Sequence, residues 1–136
     1  MKQKVYFAGA IRGGRDKVDD YKIMVERFEK NGCEVLTKHV ADCGLTFRGE
    51  NLSFEEIYER DLKWLRECDI LFADITVHSV GVGYEICHAE KLGKPVYVAY
   101  DKKANVSGFL RGDRNLRFLP YGDVGEVVKM IDEITN

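Results

Sequence analysis

The sequence predicts an α/β fold: a doubly wound, flavodoxin-like sheet of five parallel strands in the order 2-1-3-4-5, with helices on both faces. Three observations carry that expectation. Short apolar runs alternate with helix-length amphipathic segments, the pattern of β-α-β units. The first and third runs, around Val5-Tyr6-Phe7-Ala8 and Ile70-Leu71-Phe72-Ala73, are apolar nearly throughout, as strands covered on both faces are. The 136 residues, 45% hydrophobic and 32% charged, suit one globular domain with its own core.

Residues 5–10 form the first buried strand, bounded by glycine and arginine. Residues 17–31 follow a helical period with Tyr21, Met24, Val25 and Phe28 on one face, and Asn31-Gly32 closes it as a glycine C-cap does. Residues 34–37 make the second strand. Residues 53–67 make the second helix, where Ser53 and Glu56 have capping-box spacing and Ile57, Leu62, Trp64 and Leu65 supply the apolar surface. Residues 69–75 are the third strand, 82–92 the third helix closed by Gly93, and 95–100 the fourth strand. A short apolar segment, 116–119, provides a fifth, and 122–134 the last helix. Pro95 and Pro120 mark boundaries. In sheets of this order ligands bind beyond the carboxyl ends of strands 1 and 3. That rule selects two loops, 9–15 and 76–85.

Lys and Arg total 21 against 23 Asp and Glu, a net charge of −2, which argues against a nucleic-acid polymer as partner. No apolar run reaches the ~20 residues of a membrane span. The start, Met1-Lys2-Gln3-Lys4, carries no signal-peptide core, so no membrane partner and a cytoplasmic location are expected. Cys33, Cys43, Cys68 and Cys87 contain no C-x-x-C pair, so neither zinc nor thioredoxin chemistry is expected. Cys33, Cys68 and Cys87 read as small buried thiols. His39, His78 and His88 share no metal-ligand spacing. His78 reads as a cleft-edge residue and the other two as non-catalytic.

The first loop is Gly9-Ala10-Ile11-Arg12-Gly13-Gly14-Arg15. Its glycines allow close backbone approach, and its arginines carry fixed charge suited to phosphate. It matches neither Walker A nor G-x-G-x-x-G. The second loop is Thr76-Val77-His78-Ser79-Val80-Gly81-Val82-Gly83-Tyr84-Glu85. Small residues there open a helix whose free N–H groups favour anions. Glu85 is expected in the first turn of that helix. It reads either as a dipole-complementing residue or as a cleft carboxylate kept ionised for nucleophilic work, and the residues alone leave both standing. Asp61, taken alone, reads as an exposed helical aspartate, and Glu55, Glu56 and Glu59 as a solvated face. Tyr6 reads as a core residue whose hydroxyl can emerge at the cleft.

Taken together, Tyr6-Phe7-Ala8-Gly9-Ala10-Ile11-Arg12-Gly13-Gly14-Arg15, Asp61-Leu62-Lys63-Trp64-Leu65, Ser79-Val80-Gly81-Val82-Gly83-Tyr84-Glu85 and Ser107-Gly108-Phe109-Leu110-Arg111-Gly112 resemble the nucleoside 2-deoxyribosyltransferase superfamily. Within it the chain is most similar to the 2'-deoxynucleoside 5'-monophosphate N-glycosidases. The resemblance implies a homodimer that cleaves the N-glycosidic bond to free base and 2-deoxyribose 5-phosphate, with no cofactor and no metal. It implies Glu85 as nucleophile, Tyr6 as the residue orienting it, and Asp61 in sugar binding and acid–base work. It also implies Ile11, Arg12, Gly13, Gly14, Arg15, Ser79 and Gly81 around the 5'-phosphate, joined by Ser107 from the partner subunit. Ala10, where mammalian members have serine, and Val80 depart from the pattern. From composition alone, residues 102–114 read as a solvent-exposed loop.

The chemistry fits these residue types. A carboxylate stabilises an oxocarbenium-like transition state or attacks C1', and a second carboxylic acid assists the leaving base. Two other enzymes fit the same frame, a ribonucleotide hydrolase of the CMP N-glycosidase type and a deoxyribosyl transferase. A non-catalytic nucleotide-binding or receiver-like module is a further alternative. Strand 1 lacks the acidic pair a receiver needs, and such a module leaves Glu85, Tyr6 and Asp61 without a joint purpose. Base preference and the sugar's 2'-position are not legible.

Overall fold

The computed structural model describes residues 2–46 and 48–135; Met1 of the leading segment lies outside them. Strand β1 (Lys4–Ala8) pairs in parallel with β2 (Glu34–Val35) on one side and β3 (Ile70–Asp74) on the other. β3 pairs with β4 (Val96–Asp101), and β4 with β5 (Arg117–Tyr121), giving the expected order 2-1-3-4-5.

Side chains alternate across the sheet, as the two-residue period of a strand requires. Val5 and Phe7 pack with α1 (Val18–Lys30) and α5 (Val124–Thr135), where Tyr21, Met24, Phe28, Val127 and Ile131 are buried. Phe72 stacks on Phe7 at 5.9 Å and takes the edge of Phe28 at 5.1 Å. Tyr6 and Ala8 point to the other face, against Leu65 of α2 (Phe54–Glu67) and Val82, Ile86 and Ala89 of α3 (Val80–Lys91). Tyr6 is therefore a core residue of the α2–α3 layer, with its hydroxyl alone reaching the site.

Several boundaries differ from expectation, each for a local reason. β2 stops two residues early because the Thr37 side chain replaces a ladder partner: its hydroxyl donates to the Phe7 carbonyl (2.6 Å) and accepts from the Phe7 N–H (2.8 Å). A 3-10 turn, Lys38–Ala41, follows. Pro120 lies inside β5 rather than bounding it; β5 is an edge strand, where a missing N–H is tolerated. A short helix, α4 (Gly108–Arg111), capped by the Ser107 hydroxyl, interrupts the expected loop. Cys33 and Cys68 are buried as expected, but Cys87 is exposed with Cys43, because the period of α3 turns it outward.

The carboxyl end of β3 is fixed by the fully buried Asp74. Its carboxylate accepts the Thr76 N–H (2.8 Å) and the Tyr121 hydroxyl (2.6 Å), and burial pushes its pKa up. This turn directs the chain into the loop that carries Ser79. No helix among the described residues is long and apolar enough to cross a membrane.

Candidate active site

Two loops meet at the carboxyl end of the sheet, and glycine allows the meeting. A Cβ on Gly13 would sit 2.2 Å from the His78 carbonyl oxygen, so only glycine lets the 9–15 backbone lie against the β3–α3 loop. Gly14 has φ +132°, a region that L side chains avoid. The two arginines separate in role. Arg15 turns inward and donates to the carbonyls of Ala10, Val40, Leu45 and Asp42 at 2.6–3.0 Å, tying the loop to the 3-10 turn and the segment after it. Arg12 is exposed at the cavity mouth, 5.4 Å from the Phe54 ring centroid.

Across from this loop, Ser79 caps α3 by accepting from the Val82 N–H at 3.2 Å. Because α3 starts at Val80, Glu85 lies in its second turn, not its first. That overturns the expectation that the helix terminus keeps it ionised, since the dipole's influence fades beyond the first turn. The carboxylate instead sits at the bottom of a cavity, where burial pushes its pKa up to about 8 against the opposing hydrogen bond from Tyr6. The Tyr6 hydroxyl donates to Glu85 Oε2, and its own pKa rises steeply through burial and the neighbouring carboxylates.

Asp61 is not the exposed helical residue its local sequence suggests. The apolar face of α2, anchored by Leu65, rotates it into the same cavity of about 200 Å³. Burial raises its pKa while the Arg60 guanidinium opposes the shift. Glu55, Glu56 and Glu59 are exposed, as expected.

Tyr6, Ile11, Arg12, Asp61, Ser79, Gly81 and Glu85 thus border one cavity. Gly13, Gly14 and Arg15 are not in its lining, and Ser107 borders a separate apolar cleft of about 1120 Å³ between α3 and α4, which Ser79 also touches. Glu50 and Arg60 escaped the sequence reading, and His39, expected to be non-catalytic, reaches the cavity. His39 lines the cavity with Glu50, which forms a bidentate ion pair with Arg60. His39 follows the carboxyl end of strand 2, a position the sheet rule flags. Arg60 adjoins Asp61. Glu50 lies in an irregular segment and carries no local signal. Among the described residues, no cluster of three or more His, Cys, Asp or Glu side chains could hold a metal ion.

Residues 5–131 match the family described as nucleoside 2-deoxyribosyltransferase. The chain belongs to that family. Nucleoside 2-deoxyribosyltransferase family relatives include a 5-hydroxymethyl-dUMP N-hydrolase of Rattus norvegicus, 38% identical over 135 residues, spanning 94% of this chain and 82% of that one. The Mus musculus protein of the same name is 44% identical over 112 residues, 79% of this chain and 64% of its own. Among solved structures, a CMP N-glycosidase of Clostridium botulinum superposes with TM-score 0.71 at 22% identity, over 96% of this chain and 99% of that one. A 2-deoxyribosyltransferase of Bacillus psychrosaccharolyticus gives 0.67 at 19%, over 92% and 90%. At such identities these two establish the shared fold.

In this family member the contact between the loops gives a direct test. Gly13→Ala must push the two backbones away from each other, so we expect kcat/KM for a nucleotide to fall ~10–100-fold through misplacement of the loop, with lower thermal stability. Gly83→Ala meets no atom within 4 Å and removes a helical glycine, so it is expected to raise Tm. Steady-state kinetics and thermal melts check both; an unchanged Gly13→Ala enzyme would refute the close approach.

Proposed function

We propose that this chain hydrolyses the N-glycosidic bond of 2'-deoxynucleoside 5'-monophosphates, releasing free base and 2-deoxyribose 5-phosphate. One observation carries the reading: a Tyr6-bound Glu85 carboxylate shares a small cavity with Asp61, Ile11, Arg12 and Ser79. Two relatives are, by name, N-hydrolases of such a nucleotide.

Glu85, once ionised, attacks C1' as the C1'–N bond breaks, and Asp61 gives its proton to the departing base. Water then attacks C1' of the glutamyl intermediate, returns a proton to Asp61 and frees the Glu85 carboxylate. Tyr6 holds Glu85 Oε2, which leaves the other oxygen for bond formation. Ile11, Arg12, Gly13, Gly14, Ser79 and Gly81 take the 5'-phosphate at the start of α3, where free N–H groups and the dipole favour an anion. Arg15 supports that loop from behind. The direct test is base release from a panel of deoxynucleotides, ribonucleotides and nucleosides. Release from CMP alone would assign the chain to ribonucleotide hydrolysis, and no release would reject the reading.

The working unit in this reading is a homodimer. Val80 and Phe109 are 95% and 97% exposed on the rim of the apolar cleft that Ser107 borders, a costly arrangement for an isolated chain. Two-fold pairing would cover them and bring Ser107 to the partner's phosphate loop. Arg111 lies 5.2 Å over Tyr100 and 5.4 Å over Phe118. Mixing inactive Glu85→Ala with Ser107→Asp under subunit exchange should restore activity at about a quarter of the sites, since half the dimers are mixed and each has one intact site. Confirmed exchange without recovery would confine Ser107 to its own chain.

A further inference from the structure

Asp61 is held by a side chain that the proposed chemistry leaves without a task. Neighbouring residues on a helix point about 100° apart, so Arg60 and Asp61 have no automatic reason to touch. Here the Arg60 guanidinium folds back, and Nε and Nη2 both donate to Asp61 Oδ1, at 3.0 and 2.9 Å. Two further donations go to a residue outside the helix. Nη1 donates to Glu50 Oε1 and Nη2 to Glu50 Oε2 at 2.9 Å. The Trp64 ring lies 4.7 Å below the guanidinium, and His39 Nε2 is 3.4 Å from Nη2 and 3.3 Å from Glu50 Oε1.

We propose that Arg60 is a positioning residue: clamped by Glu50, its planar fork fixes Asp61 by one oxygen and presents Oδ2 to the deoxyribosyl group. The inference rests on the hydrolase reading above. Oδ2 takes part in neither contact with Arg60, and Asp61 lines the cavity that holds Glu85. An unpinned carboxylate would sample both oxygens and several rotamers, whereas proton transfer to a departing base needs one oxygen in one place. The demand for geometry explains arginine. Lysine could supply the charge at this point but has no planar fork to span Glu50 and Asp61 together. The charge matters as well. Glu50, Asp61 and Glu85 converge on the cavity with the Tyr6 hydroxyl, and Arg12, Arg60 and the His39 ring are the basic groups that face them.

The test is a double-mutant cycle on base release with Arg60→Lys, Asp61→Asn and the pair. Arg60→Lys should lower kcat ~10–100-fold, with KM little changed, because the loss is one of orientation. In the Asp61→Asn background the same substitution should cost nothing further. A second readout needs no turnover: the 13C signal of the Asp61 carboxyl should titrate at higher pH in Arg60→Lys than in wild type, because the lost fork removes hydrogen bonds that favour the ionised carboxylate. An equal loss from Arg60→Lys in both backgrounds, or an unmoved Asp61 titration, overturns the inference. A wild-type protein that releases no base defeats the hydrolase reading instead, and the carboxyl titration then still decides whether Arg60 governs Asp61.

Discussion

Glu85→Gln is expected to lose at least ~10³-fold in kcat while folding as the wild type does, because the substitution removes the attacking oxygen and little else. The amide is nearly isosteric, and its oxygen can still accept from Tyr6, so the α2–α3 layer keeps its packing. The expected stability change has the opposite sign to the activity change. The folded-state pKa of Glu85 stands at about 8, above an ordinary value of 4.5. Between those values the folded protein retains a proton that the unfolded chain releases, so stability falls as pH rises through that window. Glutamine carries no such penalty. Glu85→Gln should therefore melt above the wild type at pH 8, with the gap shrinking toward pH 5. Attack requires Glu85 ionised while Asp61 is still protonated, so the wild-type rate should be bell-shaped in pH rather than climb steadily with Glu85 ionisation. Near-normal turnover in folded Glu85→Gln would end the nucleophile assignment. A melt that is lower at every pH would mean that the carboxylate serves structure.

Removing the 5'-phosphate from the substrate is the second large effect expected. Arg12, together with the N–H groups of the 9–15 loop and the start of α3, is placed for charge-assisted contacts of ~1.5–3 kcal/mol each. Losing two of them corresponds to a fall in kcat/KM of roughly 10²–10⁴-fold for the deoxynucleoside against its monophosphate. The two arginines separate the binding role from the structural one. Arg12→Ala should weaken the nucleotide and leave the poor nucleoside nearly unchanged. Arg15→Ala should lower Tm as well, because it strands the carbonyls of Ala10, Val40, Leu45 and Asp42. Equal kcat/KM for nucleoside and monophosphate would remove the phosphate site.

The sequence by itself determined the strand order and the two loops at the switch point, because both follow from local signals. Continuous apolar runs mark strands covered on both faces, helical periods mark the crossovers between them, and parallel connection then leaves few topologies. The residues of the Gly-Arg loop and the Ser-x-Gly-x-Gly turn stand next to one another in the chain, so the motif was visible. What joins distant segments was not. Asp61 looked solvent-facing until the rotation of α2, set by Leu65 and the α3 layer, turned it beside Glu85. Glu85 looked ionised until two extra residues at the start of α3 moved it out of reach of the helix terminus and burial took over its titration. Arg15 and Arg12 are alike in sequence, and only the carbonyls around Arg15 assign it to holding the loop. Glu50 and His39 reach the site through an irregular segment and a 3-10 turn, which have no period to read. Tertiary packing decided these points because a side chain's direction and desolvation depend on neighbours that the local pattern does not contain.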